Sequence, residues 1–321
     1  MVRLVLALAA LIIAACSAPH RGPLLVASPL PQPFSDGSFN VVVSRTAGAM
    51  AESGTLKQWS VLQTPIDHEP ISPPAPGLTP LDPASVYAQR VPSVLVIMSI
   101  YKCEKCPLWH LGSTAAGFVI APGVLVTNWH VVESKTDQFA AAVTCRGDVL
   151  AITDLLARRE PDDIALLRFD PAGLDLAPIP LRDAAPVGSP VLAIAHPDRK
   201  YWTLTEGLLS RRASVYGGVN ADRRDLRPRN LNEAPPTGRL YEPVYPNMLR
   251  PIVTVTADFG VGSSGGPILD FAGNALGMIA STHTVFSAGG EGHDHEREPQ
   301  MTIRTCVPAE SIRDACRSRS D

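Results

Sequence analysis

Apolar residues in this chain come in short runs broken by Gly, Pro, Asn and Asp, with few stretches at helical spacing. One series holds "VPSVLVIMSIY", "TAAGFVIA", "GVLVTNWHVV", "QFAAAVTC", "DVLAITDL" and "DIALLRF". A second holds "SPVLAIAH", "YWTLTEGLLS", "PIVTVTA", "GGPILD", "NALGMIAS" and "MTIRTCV". Many short β-rich runs with turn signals between them predict an all-β protein, and two series of about six predict two barrels. Helices are expected only at "DPASVYAQR" and, at the C-terminal end, at "PAESIRDACRSR", where Pro308 stands at the first turn.

Outside these series the pattern changes. Residues 17–80 carry proline-dense runs such as "EPISPPAPGLTP", which hold neither a helix nor a central strand. They read as a tether or a pro-region, with one short strand expected at "FNVVVSR". A polar insertion over residues 211–251 carries Arg211, Arg212, Arg223, Arg224, Arg227 and Arg229, and reads as solvated surface rather than an anion-binding patch. No internal repeat is visible.

Composition narrows the class. The 321 residues are 45% hydrophobic and 18% charged with net charge −3, an ordinary globular balance that gives no sign of a nucleic-acid partner. Residues 1–16 stand apart: Arg3, an apolar run and small residues make a secretory signal, too short for a comfortable membrane span. Its end, "IAAC", resembles a bacterial lipoprotein box. That resemblance implies a lipidated Cys16, an exported protein and, in a Gram-negative cell, an outer-membrane anchor facing the periplasm or the cell surface. Of the 6 cysteines, Cys103, Cys106, Cys145, Cys306 and Cys316 remain, an odd number that leaves at least one thiol unpaired or paired between chains. "CEKCPLWH" offers Cys103, Cys106 and His110, but no fourth ligand stands nearby, so a disulfide or free thiols are expected and no metal.

Three segments carry the candidate chemistry. A serine hydroxyl is a weak nucleophile at neutral pH and needs an adjacent base. The base, usually His, needs a carboxylate to hold its tautomer, and the developing oxyanion needs backbone N–H groups. "GVLVTNWHVVES" supplies His130 at the end of an apolar strand. "PDDIALLRFD" supplies Asp163 just before one. "VTADFGVGSSGGPILD" supplies Ser264 in a glycine-rich bend.

Here the chain resembles the trypsin-like serine peptidases of the chymotrypsin-fold superfamily, in texture the bacterial HtrA and glutamyl-endopeptidase branch. "TNWHVV", "DDIALL" and "GSSGGP" look like the blocks around the family's histidine, aspartate and serine. The resemblance spans residues 81–317. It implies two six-stranded antiparallel β-barrels, at about 90–172 and 176–307, a short C-terminal helix and a tail at 318–321. It assigns Ser264 as nucleophile, His130 as base, Asp163 as its partner in preference to Asp162, and the Gly262 and Ser264 amides as oxyanion hole. Protein or peptide substrates follow, with no cofactor.

Two departures stand out. Ser263 occupies the place where zymogen-activated relatives carry an Asp, so activation by N-terminal insertion is not expected. No PDZ-type segment follows before Asp321. For specificity, Asp258, six residues before Ser264, matches the family's pocket acid and implies a basic residue before the cut. Its likeness to the HtrA loop entry implies a small apolar one instead. Ser281, Thr282 and His283 fall where the family lines its cleft, and His283 raises an acidic preference as a third option. His196, His293 and His295 read as structural or solvated. The competing readings are a catalytically silent binding module on the same fold, and a lipoprotein whose tether carries the function.

Overall fold

The computed structural model describes residues 29–30, 33–133, 138–183, 185–216, 249–286 and 298–317. The signal segment with Cys16, the tail, His293 and His295, and Arg223, Arg224, Arg227 and Arg229 of the polar insertion lie outside the described residues.

The elements run α1 (Asp36–Glu52), α2 (Pro83–Arg90), β1 (Val94–Lys102), β2 (Trp109–Ala121), β3 (Val124–Thr127), α3 (Trp129–Val132), β4 (Phe139–Val143), β5 (Val149–Arg159), β6 (Ile164–Phe169), β7 (Pro190–Ala195), β8 (Thr203–Tyr216), β9 (Leu249–Val255), β10 (Pro267–Leu269), β11 (Ala275–Phe286), β12 (Pro299–Pro308) and α4 (Ala309–Arg317). Strands β1-β2-β3-β6-β5-β4 close one barrel and β10-β11-β12-β9-β8-β7 close the other, all pairs antiparallel. The all-β, two-barrel expectation with a short C-terminal helix therefore holds. Closure leaves neither sheet with an unpaired edge.

The uninterrupted apolar run of β1 has a structural cause. Leu95 and Ile97 point into the first barrel with Val119, Leu125, Leu150 and Leu167. Val94, Val96, Met98 and Ile100, on the opposite face, enter a second cluster with Leu192, Ile194, Trp202 and Met278 of the other barrel. A strand buried on both faces cannot alternate apolar with polar. The second barrel has its own core of Val191, Ala193, Val253, Val255, Ile268 and Ile279.

Residues 33–80 correct two expectations. The strand foreseen at "FNVVVSR" is part of helix α1, capped by Ser35, whose hydroxyl accepts the Ser38 N–H at 3.2 Å. Phe39, Val43, Ala47 and Ala51, four residues apart, are buried in the inter-barrel cluster, so one helical stripe does the packing. The following segment is no free tether. Trp59 and Leu62 enter the first barrel's core. The Ile66 amide donates to Leu155 O at 2.9 Å, Ile71 to Cys316 O at 3.1 Å and Leu81 to Phe271 O at 2.7 Å. Asn274 clamps Gly77 through 2.8 Å and 2.9 Å bonds to its N–H and carbonyl. The segment is a strap across both barrels. The insertion is also shorter than expected: Arg211 and Arg212 belong to β8, and Arg212 pairs with Glu310.

Candidate active site

His130 stands on the single turn α3, one residue after the buried Trp129. Asp163 precedes β6 and takes a left-handed conformation, φ 55° and ψ 46°, that Asp tolerates better than most residues. This twist turns its carboxylate back under α3. Asp163 Oδ1 accepts the His130 backbone N–H at 2.9 Å, and Oδ2 accepts Nδ1–H of the ring at 2.8 Å. Asn128 Nδ2 donates to the Asp163 carbonyl at 3.1 Å. With Nδ1 protonated and engaged, Nε2 is the free acceptor, and it faces Ser264 Oγ at 3.0 Å. Asp163 is 2% exposed while the His130 side chain is 37% exposed, so the carboxylate is shielded and the imidazole is partly open to solvent.

The serine is held by its bend. Gly262 and Gly265 both have positive φ, 92° and 86°. A Cβ on Gly262 would stand 2.7 Å from His196 O, and one on Gly265 would overlap Ala116 O, so both positions need glycine. The Ser263 amide donates to Gly260 O and the Gly266 amide to Ser263 O, each at 3.0 Å. The Ser264 carbonyl is bound by the Ala116 N–H at 2.7 Å, and the Gly265 N–H donates to Ile279 O at 2.9 Å. The loop is therefore tied to β2 of one barrel and β11 of the other, which sets Ser264 in the seam between them.

The remaining candidates fall at different distances from this centre. Asp162 pairs with Arg250 at 3.4 Å, and burial raises its carboxyl above the usual range. Ser281, Thr282 and His283 follow Ala280 on β11, and the Ala280 carbonyl lies 3.5 Å from Ser264 Oγ. Asp258 is not the buried carboxylate that basic recognition calls for: its side chain is 76% exposed and ion-paired with Arg304 of β12. Arg304 was not found as its partner in the sequence because the two residues lie 46 positions apart and meet only through the fold.

His196 is structural. It is fully buried, accepts the Trp202 N–H on Nδ1 at 3.0 Å, and donates from Nε2 to Leu95 O in the first barrel at 3.3 Å. Burial holds its pKa down at about 4. The five described cysteines are free thiols. Burial raises those of Cys145, Cys306 and Cys316, the last to about 12.

The family model of the trypsin-like peptidase domain matches residues 115–278, half of the chain, and that span contains His130, Asp163 and Ser264. The chain belongs to the trypsin-like peptidases. Among other members of the family, it is similar to the chloroplastic Protease Do-like 5 of Arabidopsis thaliana, with 27% identity over 206 residues, 61% of this chain and 56% of that protein. It is also similar to serine protease Rv3671c of Mycobacterium tuberculosis, with 27% identity over 241 residues, 70% of this chain and 51% of that protein. This trypsin-like peptidase chain thus spans about half the length of the curated relatives it matches. The crystal structure of the Rv3671c protease in its active form aligns with a TM-score of 0.49 at 21% identity, over 79% of this chain and 96% of that one.

Proposed function

We propose that this trypsin-like peptidase is an exported serine endopeptidase that hydrolyses peptide bonds in protein or peptide substrates through an acyl-enzyme. One observation carries the reading: the continuous hydrogen-bonded run from Asp163 through His130 to Ser264. In this mechanism His130 Nε2 takes the Ser264 hydroxyl proton as Oγ attacks the substrate carbonyl. Asp163 keeps the ring proton on Nδ1 and stabilises the imidazolium. The backbone N–H groups of Gly262 and Ser264 receive the oxyanion, where one lost donor typically costs about 3 kcal/mol. The collapsing intermediate expels the amine, which takes its proton from His130, and water then attacks the acyl ester by the same route. No cofactor is required. Ser281, Thr282 and His283 line the substrate cleft on β11, with Asp258 at its margin.

A fluorophosphonate probe tests the reading. Wild type becomes covalently labelled at Ser264, and Ser264→Ala does not. An unlabelled, folded wild type would favour a silent binding module. The lipid at Cys16, the periplasmic or surface location and the outer-membrane anchor belong to the same proposal. No helix among the described residues is long and apolar enough to cross a membrane. Mass spectrometry of the mature N-terminus is the check, and an unmodified terminus beyond Cys16 would overturn the anchor.

A further inference from the structure

The hairpin between β1 and β2 gathers three ligand-type side chains away from Ser264. Tyr101 and His110 are cross-strand partners, so their side chains share one face of the hairpin. Their rings stack at 5.6 Å. Cys103, two residues after Tyr101, continues that face past the end of β1. The loop then folds Cys106 back over it. Cys106 Sγ lies 3.0 Å from His110 Nε2, and the Lys105 amide donates to Cys103 Sγ at 3.3 Å. The ligand atoms of Cys103, Cys106 and His110 all lie within 4.8 Å of one another.

We infer that Cys103, Cys106 and His110 form a zinc site that clips the tip of the β1–β2 hairpin. Zn–S bonds near 2.3 Å and Zn–N bonds near 2.0 Å set tetrahedral ligand-to-ligand edges of about 3.5–3.8 Å. The three atoms need to move by only about 1 Å to meet them. Two thiolates balance the charge of the divalent ion, and His110 binds it as a neutral imidazole through Nε2. The amide N–H on Cys103 is the kind of outer hydrogen bond that steadies a thiolate ligand. A disulfide between the two cysteines would use two of the three groups and leave the approach of His110 to Cys106 without a role. Three protein ligands leave the fourth position to water or another exogenous donor. The sequence alone argued against a metal because it offered no fourth ligand, but zinc held by three protein ligands and an exchangeable fourth donor is the usual form of catalytic centres, although structural sites close with four.

The test uses the full chain. Purified wild type is stripped with a chelator under reducing conditions, reloaded with zinc chloride, dialysed and measured for metal by plasma mass spectrometry. About one zinc per chain is expected. Cys106→Ser and His110→Ala each weaken zinc affinity by at least about 100-fold, since ligand loss exceeds the 10–100-fold cost of outer-shell changes. Cobalt(II) gives a thiolate charge-transfer band in wild type that weakens in Cys103→Ser and in Cys106→Ser and is absent when both are replaced. Far-UV circular dichroism and a thermal melt verify that each variant is folded. Should a variant fail to fold, wild type alone decides: zinc protects Cys103 and Cys106 from alkylation if the site is real. Substoichiometric zinc, unchanged zinc in the variants, or a Cys103–Cys106 disulfide that persists in place of metal would overturn the site.

Discussion

The Asp258 carboxylate, six residues before Ser264, is held by the guanidinium of Arg304. Arg304 lies on β12 opposite Thr282 of β11 and Val255 of β9, with its side chain only 20% exposed. A cation already sits on the acid that the family resemblance made one candidate selector of a basic substrate. The wild type is therefore expected to cleave after Arg no more than about 10-fold better than after Val, in kcat/KM on matched peptides. Arg304→Ala frees a carboxylate that is 76% exposed, so the Arg preference should rise by no more than about 5-fold, the worth of an exposed ion pair. A strong Arg preference in wild type that Asp258→Ser abolishes would restore Asp258 as a basic selector.

The link between Asp163 and His130 supports a second prediction. Ser264→Ala, His130→Ala and Asp163→Asn should each lower kcat by roughly 10⁴-fold or more, and double variants should lose little further, because the three act as a unit. Asp162→Asn should keep most activity, since Asp162 faces Arg250. Steady-state kinetics with far-UV circular dichroism separates lost chemistry from lost fold. Equal losses in the Asp162 and Asp163 variants would contradict the assignment.

His196 gives a stability prediction with a defined sign. Its folded pKa is depressed to about 4, against an ordinary histidine value of 6.5. Below pH 6.5 the unfolded chain binds a proton that the folded chain refuses, so stability falls as pH drops towards 4 and then levels off. The loss is on the order of 3 kcal/mol for this residue. Urea unfolding at about pH 7 and about pH 4.5 measures it. His196→Gln, which does not titrate, should be less stable at neutral pH and lose less on acidification. An identical pH slope in both proteins would show that His196 does not control it.

How far the sequence could be read follows from what each feature depends on. The strands were legible because burial leaves a local trace, as in the apolar run of β1. The three side chains proposed to react were legible as residue types in strand-end contexts. The left-handed turn at Asp163, which aims the carboxylate, has no signature beyond an Asp. Helix α1 was missed because Val41, Val42 and Val43 together suggest a strand, although Val41 and Val42 are about 60% exposed and only Val43 is buried. The four-residue spacing of Phe39, Val43, Ala47 and Ala51 behind the cap Ser35 was the better signal. The Asp258–Arg304 pair depends on register across three strands, which no local pattern encodes.

The strap makes the last prediction. A tether could be removed without harm, whereas a segment that fills the core could not. Trp59 is 3% exposed and packs with Leu62 against Leu95, Ile152 and Leu155 inside the first barrel. Trp59→Ala should cost about 3–5 kcal/mol, the usual penalty for emptying a buried aromatic site. Asn274→Ala should cost about 1–3 kcal/mol, because it leaves the Gly77 amide and carbonyl without their partner. Val41→Ala, on the exposed side of α1, should change stability by no more than about 0.5 kcal/mol. A chain starting at Asp82 would expose the apolar surface now covered by Phe39, Val43, Trp59 and Leu62, and should unfold at a lower temperature or fail to fold. Thermal melts of the four proteins decide the matter. A truncated domain that melts with the full chain would return residues 33–80 to the role of a tether.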